Sequence, residues 1–193
     1  YEGVTLPLSG AFQAGNAAVA VGVAEALAKQ GMEVTRHAVR RGLLKVRLPG
    51  RMEVLQHRPW LVLDVAHNVL AAENLTASLR RLFPVRRVIV VLSAHRDKAV
   101  GALCEVIARY ADEILVPERR VLRNRQADPG EVADACAGLG TPSRTATSVA
   151  DAIAEARTLA HPDDLILVTG CFALVGEAIE ILRGMEPEEM RSR

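Results

Sequence analysis

An α/β fold is what this 193-residue sequence predicts: a Rossmann-like, mostly parallel sheet of about six strands with one antiparallel edge strand, helices on both faces, and an N-terminal helical appendage. Three observations carry the prediction. From Arg51 onward, short apolar runs alternate with helix-patterned segments, the rhythm of successive βα units. Runs such as Val88-Ile89-Val90-Val91-Leu92 are apolar at every position, as expected of strands covered on both faces. The hydrophobic residues are mainly Ala, Val and Leu, with one Trp, two Tyr and three Phe, which suits helix-on-sheet packing.

Taken in order, Leu6-Pro7-Leu8-Ser9-Gly10 is an extended lead-in to a helix of small residues from Phe12 to Lys29, with Gly31 as its stop. A second helix is expected from Thr35 to Val46, with Ala38, Val39, Leu43 and Val46 at helical spacing and basic residues between, broken by Leu48-Pro49-Gly50. Strands are expected at Met52–Leu55, Trp60–Asp64, Val88–Leu92, Glu113–Val116, Leu165–Thr169 and, more weakly, Arg144–Ala146. The turn Gln56–Pro59 is too short for a parallel crossover, so the first strand is the antiparallel edge. Helices are expected at Leu70–Leu82, Ala99–Tyr110, Gly130–Ala137, Val149–Ala160 and Ala173–Arg183. Asp128 before Pro129 is a capping residue followed by the residue best tolerated at a first helical position. Ser148-x-x-Asp151 resembles a capping box. Residues 1–48 thus form the appendage, 49–185 the α/β domain, and 186–193 a frayed tail.

Composition excludes several functions. Lys and Arg number 24 against 23 Asp and Glu, a net charge of +1, so there is no large basic field to grip nucleic acid. The scarcity of aromatics argues against base-stacking platforms. The longest apolar run, Ala17–Ala24, is far short of the roughly 20 residues that span a bilayer. The three cysteines (Cys104, Cys136, Cys171) are odd in number and widely spaced, which predicts a reduced, cytoplasmic setting rather than a disulfide scaffold or structural zinc site. There is no G-x-G-x-x-G after the first parallel strand, no G-x-x-x-x-G-K-[ST], and no His or Cys pair at metal-ligand spacing. The chain begins with Tyr rather than Met, and is expected to be a piece of a longer polypeptide.

In open α/β sheets ligands bind beyond the carboxyl ends of the strands. The polar residues there are Asp64-Val65-Ala66-His67-Asn68, Ser93-Ala94-His95-Arg96-Asp97-Lys98 and Thr169-Gly170-Cys171. Asp64 can accept two hydroxyl hydrogen bonds, as from a ribose, and His67 can donate, stack or transfer a proton. The structural alternative is that Asp64 caps the next helix and His67 is satisfied at its entrance. Asp97 has the character of a cap for the helix that follows. The Thr169-Gly170-Cys171 turn either aims backbone N–H groups at an anion or holds its Gly for geometry alone. Cys171 as a nucleophile lacks an assignable base.

Several segments, in order, resemble the motifs of folylpolyglutamate synthases, including the bifunctional dihydrofolate synthases, within the wider Mur ligases. They are Gly10-Ala11-Phe12-Gln13-Ala14-Gly15-Asn16-Ala17-Ala18, Leu48-Pro49-Gly50-Arg51-Met52-Glu53, Asp64-Val65-Ala66-His67-Asn68, Asp97-Lys98, Arg125-Gln126-Ala127-Asp128 and the stretch from Thr169 to Glu177. The resemblance implies an ATP-dependent acid–amino-acid ligase, in which ATP phosphorylates a folate or dihydropteroate carboxylate and L-glutamate displaces phosphate from the acyl phosphate. It implies that residues 1–48 are the helical end of a central P-loop ATPase domain and 49–185 the C-terminal ligase domain. That ATPase domain would be the partner within the same chain and would supply the Mg2+ ligands and the phosphate-binding lysine. By motif, Asn16 resembles the adenine contact, Arg51 the arginine that reaches the ATP phosphates, Asp64 the nucleotide-binding aspartate, and His67 the histidine near ATP and glutamate. Three departures stand out: Phe12 replaces a His, Val65 a Gly, and Cys171 a Ser associated with glutamate handling. Two other readings remain open: a non-catalytic nucleotide-binding or protein-interaction module that kept the fold, and a Mur- or cyanophycin-type ligase with another acceptor.

Overall fold

The computed structural model describes residues 1 and 3–186. The expected frayed tail lies, apart from Glu186, outside the described residues. Contacts fall into two compact units, Tyr1–Glu53 and the chain from Val54 onward.

In the first unit, α1 (Phe12–Lys29) and α2 (Arg36–Lys45) form where small and straight-chain residues dominate. Thr35 caps α2, its hydroxyl accepting the Ala38 N–H at 3.1 Å. After α2 the chain turns sharply: Arg51 N–H donates to the Leu48 carbonyl at 3.2 Å, and Gly50 N–H to Glu53 Oε2 at 2.8 Å. Met52, at φ 43° and 2% exposed, belongs to this turn, which is why the first strand begins at Glu53 rather than Met52. The Met52 side chain packs at Gly10, where an added methyl would lie 2.8 Å from Met52 Sδ and 2.6 Å from the Phe12 ring. The turn is thereby fixed against the entrance to α1.

The second unit carries the sheet, in the order β1-β2-β6-β3-β4-β5. Its strands are β1 (Glu53–His57), β2 (Trp60–Asp64), β3 (Val88–Leu92), β4 (Glu113–Pro117), β5 (Ser143–Ala146) and β6 (Leu165–Thr169). The pairs β2–β6, β6–β3, β3–β4 and β4–β5 are parallel. The two-residue link Arg58-Pro59 leaves β1 antiparallel to β2 at the edge.

Five helices cover the faces: α3 (Val69–Leu82), α4 (Val100–Ala108), α5 (Pro129–Gly138), α6 (Val149–Leu159) and α7 (Phe172–Arg183). Alternate strand residues Leu61, Leu63, Ile89, Val91, Leu115, Ile166 and Val168 form one core with α6 and α7. The helices α3, α4 and α5 pack side by side on the other face. Asp128 caps α5 through the Glu131 N–H at 3.0 Å, and Ser148 caps α6 through the Asp151 N–H at 3.0 Å, as the sequence predicts.

The cap expected at Asp97 and the alternative cap at Asp64 are both absent. Helix α4 starts at Val100 with Ala99 at its cap position and no side-chain cap, because Asp97 instead pairs with Arg125 at 3.0 Å. Helix α3 is capped by Asn68, whose Oδ1 accepts the Ala71 N–H at 2.9 Å, and not by Asp64.

Candidate functional site at the carboxyl edge of the sheet

The register places Asp64 level with Thr169, and Thr169 level with Leu92, so three adjacent strands end together. From this edge the chain leaves β2 for α3 on one face and β6 for α7 on the other. Such a reversal opens a crevice between the departing helices, the usual place for a ligand in an open α/β sheet.

Asp64 is 4% exposed, and its Oδ1 accepts the Ala66 N–H at 2.8 Å. The carboxylate therefore closes a tight turn at the end of β2, which is an anchor and also an orientation. The next side chain, Val65, is 3% exposed and joins the core under α6 and α7. Its bulk is absorbed by that core. His67 is half-buried, with Nδ1 3.1 Å from the Val65 carbonyl. A carbonyl only accepts, so Nδ1 carries the hydrogen, and in the neutral ring Nε2 is the acceptor. The ring lies 5.6 Å from that of Phe172, the first residue of α7. Asp64, His67 and the Thr169–Cys171 turn are thus brought to one edge.

Cys171 faces inward. It is fully buried and caps α7, Sγ accepting the Leu174 N–H at 3.4 Å. Burial pushes its thiol pKa up, the opposite of what a nucleophile requires. Gly170 has φ 115°, and a methyl there would collide with the Ser93 carbonyl. Only glycine allows β6 to turn this closely beside β3.

A buried polar network joins the ends of β3, β4 and β6, and sequence reasoning missed its centre. Arg119, 1% exposed, donates from Nη1 to Cys171 Sγ at 3.3 Å. Its backbone N–H donates to Gln126 Oε1 at 3.0 Å. Gln126 Nε2 donates in turn to the Pro117 carbonyl at 2.7 Å and to Ser93 Oγ at 3.3 Å. Burial draws the Arg119 pKa down, while Cys171 and Glu177 draw it up. Gln126 falls within a segment the resemblance had marked, but nothing in Pro117-Glu118-Arg119-Arg120 distinguishes the buried arginine from its exposed neighbour. Beside this network lies a cleft of about 540 Å3 lined by Arg96, Glu118, Arg123, Gln126, Asp128 and Glu131, among others. His95, at its margin, has its pKa lowered by burial and by the charge of Arg119.

Asn16 and Arg51 belong to the first unit. Asn16 is exposed on α1 and donates to Gln13 Oε1 at 3.0 Å. Gln13 is 2% exposed, and among the described residues its Nε2 has no partner. Arg51 lies in the turn that Met52 packs against Gly10, at the entrance to α1. Among the described residues, no group of three or more His, Cys, Asp or Glu is arranged to hold a metal ion, and no helix is long and apolar enough to cross a membrane.

Comparison with known proteins agrees with this fold. A probable bifunctional folylpolyglutamate synthase/dihydropteroate synthase of Halobacterium salinarum is 39% identical over 176 residues, covering 90% of this chain and 20% of that protein. The solved Mycobacterium tuberculosis folylpolyglutamate synthase complexed with ADP aligns with a TM-score of 0.83 at 32% identity, over 96% of this chain and 43% of that one. Escherichia coli FolC in complex with DHPP and ADP aligns with a TM-score of 0.79 at 30% identity, over 95% of this chain and 42% of that one. The chain therefore spans between about a fifth and two-fifths of the length of these relatives. Residues 50–172, which contain the whole strand-end site up to the first residue of α7, match the family described as Mur ligase, glutamate ligase domain, and the chain belongs to that family.

Proposed function

We propose that this chain is the glutamate-ligase part of an ATP-dependent enzyme that joins L-glutamate to the carboxylate of a folate or dihydropteroate through an acyl phosphate. The observation that carries the reading is the convergence of Asp64, His67 and the Thr169–Cys171 turn at one strand edge inside the region matched to the glutamate ligase family. The ADP named with both solved relatives, and the DHPP named with one, support a nucleotide and a pterin-type acceptor.

In this reading the Asp64 carboxylate, oriented by the Ala66 N–H, accepts ribose hydroxyls of the nucleotide. Asn16 reads the adenine edge, and Arg51 neutralises charge on the phosphates as the acyl phosphate forms. His67 presents Nε2 to the incoming amine. As the amine nitrogen bonds to the acyl carbon and the C–O bond to phosphate breaks, Nε2 takes the proton the nitrogen must lose. Cys171, capping α7 from within, contributes by shaping the turn rather than by contact.

Residues 1–48 are assigned to the end of a preceding ATPase domain and 49–185 to the ligase domain. As the resemblance implies, the Mg2+ ligands and the phosphate-binding lysine are assigned to a P-loop domain of a longer polypeptide. The compartment proposed is the cytoplasm. The test is incorporation of labelled glutamate by the full-length protein, with dihydropteroate, tetrahydrofolate and its polyglutamates as acceptors. The expected result is ATP-dependent product with at least one of them. No product with any acceptor, by a folded protein, refutes the reading.

A further inference from the structure

We propose that Arg119 is a positioning residue for a carboxylate of the amino-acid substrate, acting through the Thr169–Cys171 turn; this rests on the ligase reading above. The Arg119 guanidinium is 1% exposed, yet only Nη1 has a side-chain partner, the Cys171 thiol at 3.3 Å. Among the described residues, its Nε and Nη2 have no hydrogen-bond partner. A buried cation left in that state is costly. The carboxylate whose charge reaches it, Glu177, already accepts the backbone N–H groups of Arg120 and Val121 at 3.0 and 3.3 Å through Oε2. Among the described residues, no paired fork of guanidinium and carboxylate neutralises Arg119.

The positive charge has a direction. Arg119 meets the chain at Cys171, the cap of the twelve-residue helix α7, whose N-terminus carries the positive end of the helix dipole. Two residues earlier, Thr169 Oγ1 is buried without a partner among the described residues. A cation in low-dielectric surroundings, a helix N-terminus and an unused hydroxyl within three residues all favour an anion at the end of β6. The amino acid of a glutamate ligase brings carboxylates that persist from binding to product, whereas nucleotide phosphates are the assigned task of Arg51 and the P-loop. Arg119 keeps the turn and its field in place for the amino acid.

The fold does not need this arginine. Replacing a buried, incompletely paired charge by an apolar side chain of similar volume is often neutral or stabilising. In Arg119→Met, Cys171 Sγ retains the Leu174 N–H and Glu177 retains its two backbone donors, so no new orphan is made. Steady-state kinetics of the full-length enzyme, with thermal unfolding alongside, tests the assignment. For Arg119→Met we expect KM for glutamate to rise at least about tenfold, KM for ATP to stay within about twofold, and Tm to be equal or higher. Arg119→Lys, which keeps the charge and loses the fork, should fall between.

An unchanged glutamate KM overturns the proposal, as does a raised ATP KM with glutamate unaffected, which would assign the charge to phosphate. A lower Tm with both KM values normal makes Arg119 a structural residue only. If Arg119→Met does not fold, Arg119→Lys decides: a selectively raised glutamate KM supports the proposal and a normal one overturns it. Absence of ligation by the wild-type enzyme refutes the ligase reading instead, and is distinguishable from a defect confined to the variants.

Discussion

Replacing Asp64 in two ways separates its structural task from its chemical one. Its Oδ1 accepts the N–H of Ala66, itself 1% exposed, at 2.8 Å. Asp64→Ala leaves that buried donor unpaired, at a cost of about 1–3 kcal/mol of unfolding free energy. Asp64→Asn keeps an oxygen at the same place, and the loss falls to about 0.5–1 kcal/mol, the difference between a charged and a neutral acceptor. Both variants remove the carboxylate that the proposed function offers to ribose. A charged hydrogen bond of about 1.5–3 kcal/mol corresponds to a drop of roughly 10- to 150-fold in kcat/KM for ATP. Urea unfolding of this chain measures the first effect, and kinetics of the full-length enzyme with ATP varied measures the second. The reasoning fails if Asp64→Asn retains wild-type kcat/KM, because the carboxylate is then only a turn former. It also fails if Asp64→Ala unfolds at the wild-type urea concentration.

Arg51→Ala in the full-length enzyme should lower kcat/KM at least about tenfold; a wild-type rate would remove Arg51 from the phosphate site. Gly170→Ala forces an L residue to φ 115° and drives its methyl against the Ser93 carbonyl, so unfolding should be easier by about 1–3 kcal/mol from backbone strain alone. An unchanged urea midpoint would contradict the close approach of β6 and β3. Burial pushes the Tyr110 phenol up to about 12, despite the opposing charge of Arg80. Below pH 10 both states hold the proton; between pH 10 and 12 the unfolded state loses it first, and stability falls, by about 1 kcal/mol once solvent screening of a partly exposed group is allowed for. Tyr110→Phe should remove that part of the alkaline slope, and an identical slope in the variant would locate the titration elsewhere.

The legible parts of the fold were those that local chemistry decides. Apolar strands such as Val88–Leu92, and caps such as Asp128 and Ser148, depend on neighbours within a few residues. The less legible positions each had two local solutions. Asp97 and Asp64 both have the character of helix caps, but Arg125, 28 residues from Asp97, draws one away, and the turn to Ala66 takes the other, leaving Asn68 to cap α3. The sequence places Met52 in the first strand, just ahead of the apolar Val54 and Leu55. Its packing at Gly10, some 40 residues earlier, makes it part of a turn.

The order of motifs along the chain determined the family and nominated Asp64, His67, Asn16 and Arg51, because each motif is a short run whose chemistry is written in adjacent residues. Tertiary structure alone decided which side chains face the ligand edge and which support it. Cys171 becomes an inward cap, Val65 a core residue, and Arg119 a buried cation against the last helix. The physical reason is that burial is a property of the packed sheet: Arg119 and Arg120 are adjacent and identical in sequence, and only the end of β4 and helix α7 remove one of them from water.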